Sequence, residues 1–231
     1  MTQRQFLMRT FLANVAIPAT LLAAGSLRAA PPDAPASTTA RADTDWILAK
    51  LAQPAPMRTS FVELRDSKLL KRPLRLQGEY QRPDEATLVR QVTAPYTEKT
   101  TIRAGEVEIS RTGKASRRFS LARAPELAGL QASFGALLAG DRRELERHYQ
   151  LDTQGTRYRW TMTLLPRDAG LAKKLQAITL YGRGSELRCI ETQPSRGETQ
   201  RTLLAGAARA ADGVNGAGAL ATLCYGGSKA Q

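Results

Sequence analysis

The chain predicts a mainly β fold with short helices: a curved antiparallel sheet, or incomplete β-barrel, covered by helices. Three observations predict it. Apolar residues recur at every second position in short runs between residues 59 and 204. Turn-forming pairs separate those runs, at Arg82-Pro83-Asp84, Ala104-Gly105, Thr112-Gly113, Gly182-Arg183-Gly184 and Arg196-Gly197. A single apolar helical stretch interrupts them, which is the order of a meander and not of a βαβ series. With 231 residues and 42% hydrophobic composition, the chain can bury one core and carry tails besides.

Residues 1–29 read as a secretory signal peptide. Arg4 and Arg9 precede an apolar run from Phe11 to Ala24, and small residues follow. Cleavage is expected after Ala29, with Ser26 the second choice, because Pro31 would directly follow a cut after Ala30. The competing reading is a buried N-terminal helix. No Cys lies near the cut, so a lipobox-type anchor is not expected. Residues 30–43 are a Pro/Ala-rich flexible linker. A short helix is expected over 44–52, capped by Asp43 or Thr44, with Ile47 and Leu51 on one face and Pro54 ending it.

The strands follow. Leu74, Leu76, Gly78 and Tyr80 alternate with charged or amide residues, and Val107 and Ile109 alternate with Glu106, Glu108 and Ser110. Between residues 125 and 140, Leu127, Leu130, Phe134, Leu137 and Leu138 fall near one helical face, weakened by three glycines. Asp141 with Glu144 resembles a capping box. Tyr158, Trp160, Met162 and Leu164 then alternate with Arg and Thr, and Ile178 and Leu180 repeat the pattern. The folded body is expected over 44–205. Residues 206–231 are expected to form a low-complexity, frayed tail, since 205–221 holds eight Ala and four Gly.

Composition narrows the chemistry. One His and two Cys exclude a multi-histidine metal site and zinc ribbons, and neither a metal nor a cofactor is expected. Cys189 and Cys224 both lie in the exported part, where a disulfide or two free thiols are equally open. The net charge of +13 falls by three, for Arg4, Arg9 and Arg28, to +10 without the leader. An exported chain of that charge meets anionic lipid or acidic partners and no nucleic acid; a scattered arginine composition with no partner is the other reading. Five cations between residues 111 and 123 (Arg111, Lys114, Arg117, Arg118, Arg123) could meet anionic headgroups or simply solvate a loop.

Two enzyme readings rest on individual residues. His148 would have to serve a hydrolase without a G-x-S-x-G motif beside it, and more often such a His is a packing residue. Glu106 and Glu108 share one strand face, whereas glycosidase chemistry needs carboxylates facing across a cleft. No catalytic residue is expected. The chain reads as a binding protein, and the concave face of the sheet is either a dry core or the wall of a ligand cavity.

The run Leu76-Gln77-Gly78-Glu79-Tyr80-Gln81-Arg82-Pro83 resembles the G-x-[LY]-x-x-R-P signature of LolA-type periplasmic lipoprotein carriers. Phe61 is similar to that family's first-strand phenylalanine, and Gly105-Glu106-Val107-Glu108-Ile109 to its hairpin. Leu164-Leu165-Pro166, the strand 176–181 and the run from Leu187 to Gln200 follow its later order, so the likeness spans about residues 44–204. It implies a divergent LolA-like branch: a periplasmic protein whose apolar cavity holds the acyl chains of a lipoprotein or related lipid, taken from inner-membrane donor machinery to an outer-membrane acceptor. A monomer is expected. The resemblance implies that Arg82 bonds lid carbonyls and holds the empty carrier shut. The cavity would be lined by Leu76, Tyr80, Val107, Ile109, Tyr158, Trp160, Met162 and Leu164, under a lid helix bearing Phe134, Leu137 and Leu138. Alternatives are a carrier of a glycolipid or fatty-acyl conjugate, including a polyene-type one, on the same fold, and an envelope interaction protein that binds no lipid.

Overall fold

Eleven strands form one antiparallel sheet in a computed structural model of the chain, which describes residues 40–65, 74–121, 135–214 and 216–226. The described residues begin with α1 (Thr44–Leu51). The first meander is β1 (Met57–Arg65), β2 (Leu74–Asp84), β3 (Thr87–Ala94), β4 (Glu98–Arg103), β5 (Glu106–Arg111) and β6 (Arg117–Ser120). Helical backbone over 135–139 and α2 (Arg142–His148) lead into the second. That meander is β7 (Tyr149–Gly155), β8 (Trp160–Pro166), β9 (Leu175–Arg183), β10 (Glu186–Pro194) and β11 (Gln200–Leu204), with the single turn α3 (Ala169–Ala172) between β8 and β9. Helices α4 (Ala205–Ala210) and α5 (Ala217–Cys224) follow.

The spatial order is β6-β5-β4-β3-β2-β1-β11-β10-β9-β8-β7, so each meander pairs only with its sequence neighbours until β1 meets β11. That junction sets Phe61 opposite Leu204 and Glu63 opposite Thr202. The sheet does not close: β6 and β7 are its two ends. Gly78 sits at a register shift between β2 and β3, where any Cβ would run into the Gln91 carbonyl. The bend that lets a sheet this long curl inward has such shifts as its material.

Period two divides each strand between an inner and an outer face. On the inner face, Phe61, Leu76, Val92 and Leu204 form one buried cluster. A larger one joins Ile47, Leu48 and Leu51 of α1 to Leu137, Leu145, Trp160, Met162 and Leu164. On the outer face, Val62, Leu64 and Leu203 pack with Ala207, Ala211, Leu220 and Leu223. Helices therefore cover both faces, whereas the sequence predicts them on one.

This corrects the expected tail. Residues 205–224 hold two helices, the first burying Ala207 and Ala208 and the second Leu220 and Leu223, and a Cys189–Cys224 disulfide fastens α5 to β10. Small side chains let the backbone lie close on the sheet, which composition alone reads as low complexity. The expected linker also ends early: Ala42 is buried, Arg41 bridges Thr156, and Asp43 caps α1 by accepting from the Trp46 amide at 2.8 Å.

Two further expectations shift in register. β2 continues through Asp84 and turns at Glu85-Ala86, because Asp84 accepts from the Ala86 amide (2.9 Å) and the Thr87 hydroxyl (3.0 Å). The Asp141 cap holds the Glu144 amide at 3.0 Å, but the reciprocal half of the box is replaced: the Asp141 amide donates to Ala136 O. The Glu144 carboxylate instead faces Arg147 and His148.

Candidate functional site

A cavity of about 410 Å³ lies against the inner face, with walls from both meanders. One wall is Tyr80, Leu88, Ile102, Val107, Ile109 and Phe119; the other is Leu164, Ile178, Leu180 and Ile190. Leu137, from the helical segment 135–139, closes part of it. A short polar row, Thr192, Gln200 and Thr202, marks the strands near the junction. The volume lies in the range of small-molecule sites, and the lining is chiefly hydrocarbon.

The residues expected there divide into three groups. Tyr80, Val107, Ile109, Leu164 and Leu137 border the cavity. Leu76, Trp160 and Met162 face inward but are consumed by packing, each at most 1% exposed. Trp160 fills the space left by Gly182, where a Cβ would collide with the indole, and its Nε1 donates to Gly184 O at 2.9 Å. Leu138 is buried beside the cavity and is not among its lining residues. Tyr158 departs from expectation: β8 starts at Trp160, and Tyr158 is 46% exposed under the Arg183 guanidinium. The reason is the hairpin. Gly155 pairs with Trp160, so 156–159 make the connection and the alternation begins two residues later. Phe134 lies outside the described residues, as do Arg123, the leader and most of the expected helix 125–140.

Leu88, Ile102, Phe119, Leu121, Ile178, Leu180 and Ile190 complete the apolar lining and are not among the cavity residues expected from sequence. Ile178 and Leu180 had the alternation that could have found them. Thr192, Gln200 and Thr202 carried no such signal, since polar residues on an inner face read as outward ones.

Arg82 stands at the end of β2 with only 6% of its surface exposed. Its Nη1 donates to the Gln53 carbonyl at 2.8 Å, in the segment that leaves α1, and Nη2 pairs with Glu85. The other Glu85 oxygen accepts the Ala55 amide at 3.1 Å. The Gln53 amide in turn donates to Leu138 O at 3.0 Å. Arg82 is thus joined through one residue, Gln53, to the segment that supplies Leu137. Gly140, with φ +69°, ends that segment against Ala52, which a larger residue would displace.

A buried ion pair underlies the junction wall. Glu63, 1% exposed, meets Arg90 at 3.0 Å, and the guanidinium lies over Phe61 at 4.7 Å. Burial works against the Arg90 charge, but Tyr80 and Glu63 more than offset it and raise its pKa. On the opposite face Glu106 is exposed, and Glu108 binds Ser116 and Arg118, so neither carboxylate faces the cavity. The expected basic loop is largely the β5–β6 hairpin, with Arg111 stacked on Tyr96 at 3.7 Å.

The family model described as "Outer membrane lipoprotein carrier protein LolA-like" matches residues 36–227. The chain belongs to the LolA-like family. LolA-like proteins are periplasmic carriers of lipid or lipoprotein, and they are not enzymes. The match includes α4 and α5, which the resemblance read from sequence left out. A similar solved structure is a LolA superfamily protein from Nitrosomonas europaea, at 9% identity and a TM-score of 0.38, covering 71% of this chain and 91% of that one. Another is the MucA/MucB complex of Pseudomonas aeruginosa, at 16% identity and 0.39, covering 71% of this chain and 56% of that one. No curated protein matches. No helix among the described residues is long and apolar enough to cross a membrane.

Proposed function

We propose that this LolA-like chain is exported by its first 29 residues and works in the periplasm. There it shields the acyl chains of a lipoprotein, or a related lipid, on the way from an inner-membrane donor to an outer-membrane acceptor. The observation that carries the reading is the 410 Å³ apolar cavity between the two meanders under Leu137. Export is supported by the Cys189–Cys224 disulfide, a bond that persists in oxidising compartments.

The energetics suit the task. Each methylene transferred out of water gains about 0.8 kcal/mol, so an acyl chain needs continuous apolar cover to cross an aqueous space. The latch must be weaker than the cargo. A charge-assisted bond such as Arg82 to Gln53 O is worth roughly 1.5–3 kcal/mol, enough to favour the closed empty state and small enough for entering chains to break.

Native mass spectrometry with lipid extraction of protein taken from the periplasm tests this directly. Acyl cargo is the expected result, and its mass decides between lipoprotein, glycolipid and fatty-acyl conjugate. Protein that is always empty and takes up no fluorescent lipid would overturn the reading. Arg82→Leu is expected to change the rate at which a fluorescent acyl probe is retained; equal retention would remove the latch role from Arg82.

A further inference from the structure

A second cleft, of about 280 Å³, opens where the β8–β9 ends, β10 and the C-terminal end of α5 meet. Its lining includes Arg159, Arg183 and Arg188, with Tyr181 and Tyr225 at the sides, and no carboxylate among the described residues. The sheet itself aims one of these arginines. The β9–β10 ladder pairs Leu187 with Gly182 and Cys189 with Tyr181, leaving Arg188 unpaired in a bulge. Leu187 packs on the inner clusters and Cys189 on the outer one, so the extra residue is turned to the cleft beside the disulfide.

Arg188 is only partly compensated there. Its side chain is 15% exposed, Nη1 reaches Glu186 Oε2 at 3.2 Å, and Nε is buried with no acceptor among the described residues. The nearby acids are already engaged. Glu186 Oε1 accepts the Gly206 amide at 2.6 Å, and Glu191 holds Arg201 at 2.7 Å and the Tyr225 hydroxyl at 3.1 Å. Arg159 donates to Gly226 O at 3.3 Å, and Arg183 stacks on Tyr158. A guanidinium largely withdrawn from water whose Nε–H has no acceptor among the described residues is a group that gains from an oxyanion.

We propose that this cleft binds a phosphate-bearing anion, with Arg188 as its principal ligand and Arg159 and Arg183 completing the charge. Phosphate fits the chemistry: its oxygens match the guanidinium fork, and its charge exceeds what one arginine balances. The phosphate can belong to a lipid headgroup or be free, and the site reads the shared group. The cleft lies apart from the apolar cavity, and the two have no lining residue in common.

The test uses the full chain with two probes: inorganic phosphate followed by the arginine Nε–H resonances, and vesicles of phosphatidylglycerol against phosphatidylcholine followed by co-sedimentation. Arg188→Gln is expected to weaken binding of at least one probe about tenfold. Arg143→Gln, which removes the same charge from the exposed face of α2, is expected to change it by less than about twofold. Arg183→Gln, at an exposed position, guards against a folding defect in the first variant and is expected to weaken the same probe. Binding of both probes, with phosphate displacing vesicles, assigns a headgroup; binding of phosphate alone assigns a free anion. Binding of neither by the unaltered chain, or equal losses in Arg188→Gln and Arg143→Gln, would overturn the proposal. Acyl-probe uptake into the apolar cavity is measured alongside and stays unchanged in Arg188→Gln, so failure here leaves the carrier reading intact.

Discussion

Single side chains set the polar terms of this apolar interior. Glu63 and Arg90 are a pair that neither member can leave without cost. Glu63→Gln removes the charge paired with the Arg90 guanidinium and is expected to lower stability by about 3 kcal/mol in urea denaturation. Replacing both with Met is expected to recover most of that. Tyr181 has its own signature. Burial, then the charges of Glu191 and Tyr225, push its pKa up to about 12. The folded chain holds this proton more tightly than the unfolded one, so its contribution is whole below pH 10 and is lost as pH rises through about 12. Spectrophotometric titration of tyrosinate should show a late-ionising group that Tyr181→Phe removes. At this scale the sequence was readable wherever burial and alternation agree: Tyr80, Val107, Ile109 and Leu164 all border the cavity. It was not readable at Thr202, whose inward direction comes only from pairing opposite Glu63.

Elements were legible in proportion to their own signals. Helix α1 was marked by its cap and by Pro54, and the strands by their period. Helices α4 and α5 have neither signal. Neither has a side-chain cap, and their stability comes from Ala207 and Ala208 of α4 and Leu220 and Leu223 of α5 lying on β1, β10 and β11. The disulfide spans 35 residues, and closing a loop of that length contributes about 3–4 kcal/mol by chain entropy. Cys224→Ala with Cys189→Ala is therefore expected to move the urea midpoint down. Amide exchange over 217–224 should quicken before exchange in β8 and β9 does; uniform quickening would mean that α5 is not a separate unit.

For the molecule as a whole, the meander and the helical cover of its inner face were legible, and the outer cover and the cavity were not. Whether inward-facing hydrocarbons meet one another or leave a hollow depends on the distance between strands far apart in the chain. Trp160 and Met162 meet their neighbours, while Ile109 and Leu164 face the opening. Filling it should be measurable. Ile109→Trp is expected to abolish most acyl-probe uptake while leaving the melting temperature within a few degrees. Saturating cargo should raise the melting temperature of the unaltered chain, since about 2.7 kcal/mol accrues at a hundred times the dissociation constant.

The open ends of the sheet carry a last consequence. Because β6 and β7 share no ladder, drawing them apart breaks no backbone hydrogen bond between strands. The girth of the molecule can change by sliding side chains past one another along a seam. Tolerance of bulkier hydrocarbon loads should then decline gradually with size instead of stopping at one chain length.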